Sequence, residues 1–291
     1  MNRVERVIIV GPGRAGLSLG YAMVQQDAVR ELLVCGRRPE PPAHPLFTQG
    51  LAEYVFGVAT PERGTEAVFL AVPDGALPEF AHTLAGQGEA PPRCSVFHLS
   101  GALGTDLLAP LHARGYEVGT FHPLQSLAHP VTAAERIPGS WVALTGSPMA
   151  LSVARRIASL LGCRTLEVPE GRRPLYHAAA VMASNYLPPL LDAAARLLEQ
   201  AGVPHEDALP ALLPLVQGTL RNIEELGLEK AVTGPVARGD TETVNLHLRA
   251  LEPEDRRLYA LLGRELTRLA ADALPPEIRE ALSECFDEEL P

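Results

Sequence analysis

Apolar residues gather in short runs through the first half of the chain, and the runs are spaced like alternating strands and helices. Val7-Ile8-Ile9-Val10 reads as a buried strand. The loop Gly11-Pro12-Gly13-Arg14-Ala15-Gly16 and a short helical stretch follow it. A second apolar run, Leu32-Leu33-Val34-Cys35, then ends in Gly36-Arg37-Arg38. Further strand-like runs cover 66–72, ending at Pro73-Asp74, and 95–99, closing at Ser100-Gly101. Another, 116–121, precedes His122-Pro123; 141–144 and 165–168 flank a helix from about Met149 to Leu161. Pro39 to Pro45 reads as a loop. Such alternation predicts an α/β fold with a mostly parallel, doubly wound sheet.

From about Gly171 the strand pattern stops. Ala/Leu-rich stretches at 174–201, 206–226, 240–251, 253–273 and 276–289 predict helices, several with Pro or Asp near the first turn. Pro188-Pro189 must kink or break the first of these. A boundary near residue 170 separates a dinucleotide-binding domain, 1–170, from an all-α domain, 171–291.

The glycine loop closes a strand and opens a helix, with a second strand on schedule. That context is what a dinucleotide-binding βαβ unit requires. Gly11 would turn the chain off the strand, Gly13 would admit a pyrophosphate to the backbone, and Gly16 would let the helix pack on the sheet. The helix N-terminus and Arg14 offer positive charge to the phosphates. At the end of the second strand, NAD enzymes usually carry a carboxylate for the ribose hydroxyls. Here Arg37 and Arg38 stand instead, two planar guanidiniums suited to a 2′-phosphate, so the cofactor expected is NADP(H).

Composition narrows the partners. The chain has 291 residues, 46% of them hydrophobic and 21% charged, as in a globular protein of about two domains. A net charge of −10 speaks against nucleic acid and against an anionic membrane surface. No apolar run reaches membrane length and no signal-like N-terminus is evident, which points to the cytoplasm. Cys35, Cys94, Cys163 and Cys285 are scattered without a CxxC, so free thiols are expected rather than a disulfide frame or a metal site. Lys230 is the only lysine, which confines any lysine-dependent chemistry to that position.

Ligands of open α/β sheets bind beyond the carboxyl ends of the strands. Those ends give Val72-Pro73-Asp74, Ser100-Gly101-Ala102 and 121–126, so Val72, Pro73 and Ser100 are expected beside the nicotinamide. His122 suits proton transfer; its alternative is a turn histidine bonded to the backbone. Asp74 would bond a ribose or cap the next helix. In the helical half, His177, Ser184 and Asn185 share one helix face among small alanines. A proton donor and an amide so placed would polarise a carbonyl; the alternative is a part-exposed helix start. Arg238, in the loop Thr233 to Asp240, would bind a carboxylate bidentately, or the loop is structural with Asp240 as a helix cap.

Taken in order, the glycine loop, Ala71-Val72-Pro73-Asp74, 98–102, 121–126, Tyr176-His177-Ala178-Ala179 through Asn185, and Thr233-Gly234-Pro235 to Asp240 resemble a bacterial family. Its members are Rossmann-like proteins whose second half is a domain of unknown function. The resemblance spans nearly the full chain. It implies an NADP-dependent oxidoreductase, or dehydrogenase, with a helical and often dimer-forming second domain. Wider kin are pyrroline-5-carboxylate reductase, ketopantoate reductase, prephenate dehydrogenase and the β-hydroxyacid dehydrogenases. The His122-Pro123 pair is similar to a prephenate dehydrogenase motif. The ketopantoate and β-hydroxyacid enzymes carry a lysine and an asparagine on the first helix after the Rossmann half; here His177 and Asn185 stand in those places, with no lysine.

The expected reaction is NADPH-dependent reduction of a small carbonyl substrate, a 2-oxo acid such as ketopantoate. His177 and Asn185 are the expected catalytic pair, with His122 as second choice of acid, and Ser184 and Arg238 as substrate ligands. Two alternatives stand beside it: a cyclic imine reductase, and a non-catalytic NADPH-sensing protein. A homodimer through the apolar helical half is also expected.

Overall fold

The computed structural model describes residues 3–290. It divides into two compact units, Met1–Asn185 and Tyr186–Pro291.

In the first unit, among the described residues, eight strands form one sheet in the order β3-β2-β1-β4-β5-β6-β7-β8. They are β1 (Val4–Val10), β2 (Val29–Gly36), β3 (Glu53–Phe56), β4 (Thr65–Leu70), β5 (Ser95–His98), β6 (Glu117–Leu124), β7 (Trp141–Gly146) and β8 (Arg164–Glu167). All neighbours pair in parallel except β6 and β7, which are antiparallel. The helices of this unit are α1 (Arg14–Gln25), α2 (Pro45–Thr48), α3 (Leu77–Ala85), α4 (Ala109–His112), α5 (Pro130–Arg136), α6 (Pro148–Leu160) and α7 (Arg173–Ser184).

The apolar runs become strands because both faces of the sheet are covered. Ile9 and Phe69 feed the core on one face, with Phe97 and Phe121; Ile8, Val68, Leu70 and Val96 feed the core on the other. This is the two-residue alternation of a pleated strand. Phe69 stacks on Phe97 with centroids 5.4 Å apart and meets Phe121 edge-on at 5.3 Å, geometries that aromatic quadrupoles favour.

Two strand assignments differ from the sequence pattern. β3 falls at 53–56, after the stretch read as a loop; it is a short, half-buried edge strand pairing with β2. β6 does not end at Phe121 but runs on to Leu124, so His122-Pro123 lies within a strand. The extension exists because β7 supplies a partner beyond the end of β5: Thr120 is the last β6 residue opposite β5, while His122 pairs with Ala143 and Pro123 with Val142.

The chain starts at β1, moves out to β3, then returns to β4 on the other side of β1. The order reverses between β1 and β4, and the crevice at their carboxyl ends is where open α/β sheets bind ligands.

The helix α7 follows residue 170 yet belongs to the first unit and ends at its boundary. The next helix, α8 (Leu187–Gln200), carries Pro188 and Pro189 in its first turn, so the predicted break falls at Asn185-Tyr186, just before the prolines. The second unit continues with α9 (His205–Leu226), α10 (Leu228–Ala231), α11 (Gly234–Ala237), α12 (Thr241–Ala250), α13 (Pro253–Leu269) and α14 (Pro276–Asp287). Its core joins Val236, Val244, Leu248, Ala260, Leu282 and Phe286. Asp240 caps α12, accepting from the Thr243 N–H at 3.0 Å and the Thr243 hydroxyl at 2.7 Å. No helix among the described residues is long and apolar enough to cross a membrane.

Candidate active site

The glycine loop sits at the end of β1. Gly11 has φ +109°, the left-handed region that favours glycine, and its N–H donates to Cys35 O at 2.9 Å. A Cβ on Gly11 would collide with the Ala71 carbonyl beyond β4, and one on Gly16 would collide with Gly11 O. These two glycines are packing requirements of the crossover. Gly13 is different: it is exposed, precedes α1 without any side-chain cap, and nothing lies within 4 Å of where its Cβ would stand. The first N–H groups of α1 are therefore open to an anion, as a dinucleotide pyrophosphate requires. Arg14 beside it is exposed.

Arg37 and Arg38 follow β2, both exposed, and neither makes an ion pair among the described residues. Tyr54 of β3 donates its hydroxyl to Arg38 O at 2.7 Å, which fixes this turn. The residues present fit an NADP-type adenosine end: an open backbone cradle, two free guanidiniums and no carboxylate between them.

Beyond β4, Val72 is half-buried and Pro73 exposed. Asp74 does not cap the next helix. It accepts from Ser100 Oγ at 2.9 Å, and Ser100 Oγ in turn accepts from the Leu103 N–H at 3.2 Å. Ser100 is a hub: its N–H donates to His98 Nδ1 at 3.2 Å and its carbonyl accepts from Arg173 at 2.6 Å. His98 must then carry its proton on Nε2, which faces Gly104 O at 2.8 Å. Burial holds the His98 imidazole below its ordinary range.

Next along the sheet lies a cluster that the pattern of apolar runs could not assemble. His122 Nδ1 is 2.7 Å from the Tyr176 hydroxyl, with the rings edge-to-face. His177 meets His122 edge-on, centroids 5.8 Å apart. Both imidazoles crowd against Gly101, where a Cβ would collide with His177 Nδ1 and stand 2.9 Å from His122 Nε2. His177 Nδ1 is buried without a partner. Burial, and then the nearby Arg173 charge, lowers the His122 pKa to about 4, while burial pushes the Tyr176 phenol up to about 12.

Arg173 lies under this cluster, fully buried. It donates to the Thr120 hydroxyl at 2.8 Å, the Thr145 hydroxyl at 3.1 Å and Ser100 O at 2.6 Å, and its Nε has no partner. No carboxylate pairs with it among the described residues. Sequence reasoning missed Arg173 and did not single out Tyr176.

The other candidates stand elsewhere. Ser184 and Asn185 are exposed at the end of α7, where Asn185 is the C-cap. They lie about 10–12 Å along the helix axis from His177 at ~1.5 Å per residue, so His177 joins His122 rather than Asn185. Arg238 is exposed in the second unit. Cys35 and Cys94 are buried, Cys163 and Cys285 half-buried, and all four are free. No cluster of three potential metal ligands occurs among the described residues.

A parallel-rich sheet with a glycine cradle at its reversal point defines the class: a Rossmann-type α/β domain followed by a helical part. The family models are of the same two kinds. Residues 2–123 match the Rossmann-like domain, and residues 140–266 match a domain of unknown function, DUF2520. No match was found among curated proteins. A Thermotoga maritima protein shares the fold with TM-score 0.71 and 22% identity, over 91% of this chain and 98% of its own. A Bacteroides fragilis protein assigned as an NADP oxidoreductase gives 0.67 and 24%, over 91% and 98%. The NADP-bound pyrroline carboxylate reductase of Plasmodium falciparum gives 0.58 and 10%, over 98% and 96%.

Proposed function

We propose that the protein is an NADP-dependent oxidoreductase that reduces a small carbonyl compound, a 2-oxo acid of the ketopantoate kind. One observation carries this reading. The open cradle at β1 and the proton-carrying side chains near the end of β5 and along β6 occupy the same edge of one sheet. β1 and β6 are three strands apart, about 14 Å at ~4.8 Å per strand.

Gly11, Gly13, Arg14 and Gly16 would hold the pyrophosphate, Arg37 and Arg38 the 2′-phosphate, and Val72, Pro73 and the Ser100 turn would border the nicotinamide. When bound, the reduced nicotinamide supplies the hydride. His177 and His122 would meet the substrate oxygen. The likeness in fold to the Bacteroides protein, named for NADP, and to the Plasmodium reductase, solved with NADP bound, supports the cofactor. Four free thiols fit a reducing cytoplasm. A second copy would cover the leucines that α8 and α9 leave exposed.

A second reading, cyclic imine reduction, draws on the low basicity of His122, because an iminium needs no proton from the protein. The unpaired charge of Arg173 weighs against it, since a buried cation repels a cationic substrate and attracts an anionic one.

The test pairs binding with turnover. Calorimetry should give tighter NADPH than NADH binding, and NADPH absorbance should fall with oxo acids more than with cyclic imines. Uptake of neither coenzyme would end the enzymatic reading. NADPH binding without turnover of any carbonyl or imine would favour the sensor.

A further inference from the structure

The reaction just proposed leaves an oxygen anion that needs a proton, and the three imidazoles of this region are an odd set of donors. His122 is held neutral, His98 has both nitrogens engaged, and His177 turns one nitrogen toward Gly101 with nothing to bond. A neutral imidazole gives up a proton only if it gains one at its other nitrogen. For His122 that other nitrogen faces a phenol at 2.7 Å.

We propose that Tyr176 is the proton source of this site and reaches the substrate through His122, with the buried Arg173 guanidinium as the fixed counter-charge for the phenolate left behind. The inference rests on the oxidoreductase reading above.

The geometry supports each part. A phenol is the stronger donor and an imidazole nitrogen the stronger acceptor, so the contact is Tyr176 O–H to His122 Nδ1. His122 then carries its proton on Nε2, the nitrogen without a protein partner, which points to the Gly101 side beside His177. In the transfer, the Tyr176 O–H bond breaks as Nδ1–H forms, and Nε2–H breaks as the substrate O–H forms. One proton moves from Tyr176 to the substrate alkoxide, and His122 ends neutral. The phenolate regains its proton from water after product leaves.

Arg173 makes that phenolate tolerable. Its guanidinium carbon lies 5.8 Å from the Tyr176 ring centroid, and its three hydrogen bonds, to the Thr120 and Thr145 hydroxyls and Ser100 O, are all to neutral oxygens. A buried cation without a hydrogen-bonded carboxylate costs stability, and ionisation of Tyr176 would set a negative charge near it. The groups that face the pair are Arg173 for Tyr176, and Arg173, His177 and His98 for His122. Glu170 and Asp74 act one step away, Glu170 on Arg173 and both on His98. Glu170 is itself occupied by the Thr105 N–H and hydroxyl, and Asp74 by Ser100.

The test uses the full chain with Tyr176→Phe, His122→Gln and Arg173→Lys. Long-range proton–nitrogen correlation spectra of the histidines should give the Nε2–H tautomer for His122 in the wild type and lose that preference in Tyr176→Phe. This readout needs no turnover. Tyr176→Phe should lower kcat about 100-fold with NADPH affinity unchanged, and the Tyr176 phenol should titrate higher in a variant that moves the charge, Arg173→Lys. An Nδ1–H tautomer in the resting protein, or full turnover in Tyr176→Phe, would overturn the proposal. Failure of NADPH binding in the wild type would instead remove the oxidoreductase reading and leave the tautomer result standing.

Discussion

The Tyr176 hydroxyl and His122 Nδ1 lie 2.7 Å apart although 54 positions separate them in the chain. That contact ties α7 to β6, and the burial of His122 there sets a pH dependence. His122 is lowered from 6.5 to about 4, mainly by burial and next by the Arg173 charge. A lowered histidine binds protons more readily in the unfolded chain, so stability is complete above about pH 6.5 and is lost as pH falls toward 4. The loss should be on the order of 2–3 kcal/mol. Urea unfolding across that range should show it, and His122→Gln should flatten the slope. An unchanged slope in that variant would mean that His122 is not the group responsible.

Gly101→Ala tests the crowding of the two imidazoles. The added methyl would collide with His177 Nδ1 and stand 2.9 Å from His122 Nε2, so one ring must move. Overpacking of this kind costs about 1–3 kcal/mol. Turnover should drop with NADPH affinity retained, because the glycine cradle lies at another strand. Denaturation and calorimetry together check it; normal turnover would show that neither ring position matters.

Two glycines of the cradle should behave in opposite ways. Gly16→Ala drives a methyl into Gly11 O and should destabilise the fold. Gly13→Ala meets nothing within 4 Å, and its φ of −85° suits alanine. Its Tm should hold while NADPH affinity falls, since the methyl would project where a pyrophosphate approaches. A Gly13→Ala protein that binds NADPH normally would place the phosphates elsewhere.

Arg37→Ala and Arg38→Ala should each weaken NADPH about 10- to 100-fold, the range of one charge-assisted hydrogen bond. NADH affinity should stay the same, because both side chains are exposed and unpaired among the described residues. Calorimetry with both coenzymes separates a grip on the 2′-phosphate from a general loss of fold.

The legible parts of this molecule are those where local pattern and tertiary role coincide. Val7 to Val10 is apolar throughout because the strand is covered on both faces, and the glycines stand where a sharp turn demands them. β3 was illegible because four residues, two half-buried and two exposed, carry little pattern, although Tyr54-Val55-Phe56 was a β-prone signal. His122 and His177 were legible as reactive types, but their meeting over Gly101 was not. Arg173 was the hardest. Nothing local marks a buried arginine whose three acceptors come from residues 28, 53 and 73 positions away. Asp74 looked like a helix cap for the same reason: its partner Ser100 is 26 residues on.

The helices after Asn185 bear on assembly. α8, with 14 residues, buries only Ala193, and α9, with 22, buries only Ala208. Leu190, Leu209, Leu213, Leu215 and Leu220 are all more than a third exposed. Leu209, Leu213 and Leu220 recur at four and seven residues, so they share one face of α9. Each leucine removed from water is worth about 1.5–3 kcal/mol, enough for several together to hold two copies. Sedimentation at micromolar concentration should therefore show a dimer. A double variant, Leu213→Glu with Leu220→Glu, should sediment as a monomer with its circular dichroism intact, because neither side chain supports the core of its own chain. A monomeric wild type would mean that these leucines serve something other than a second copy.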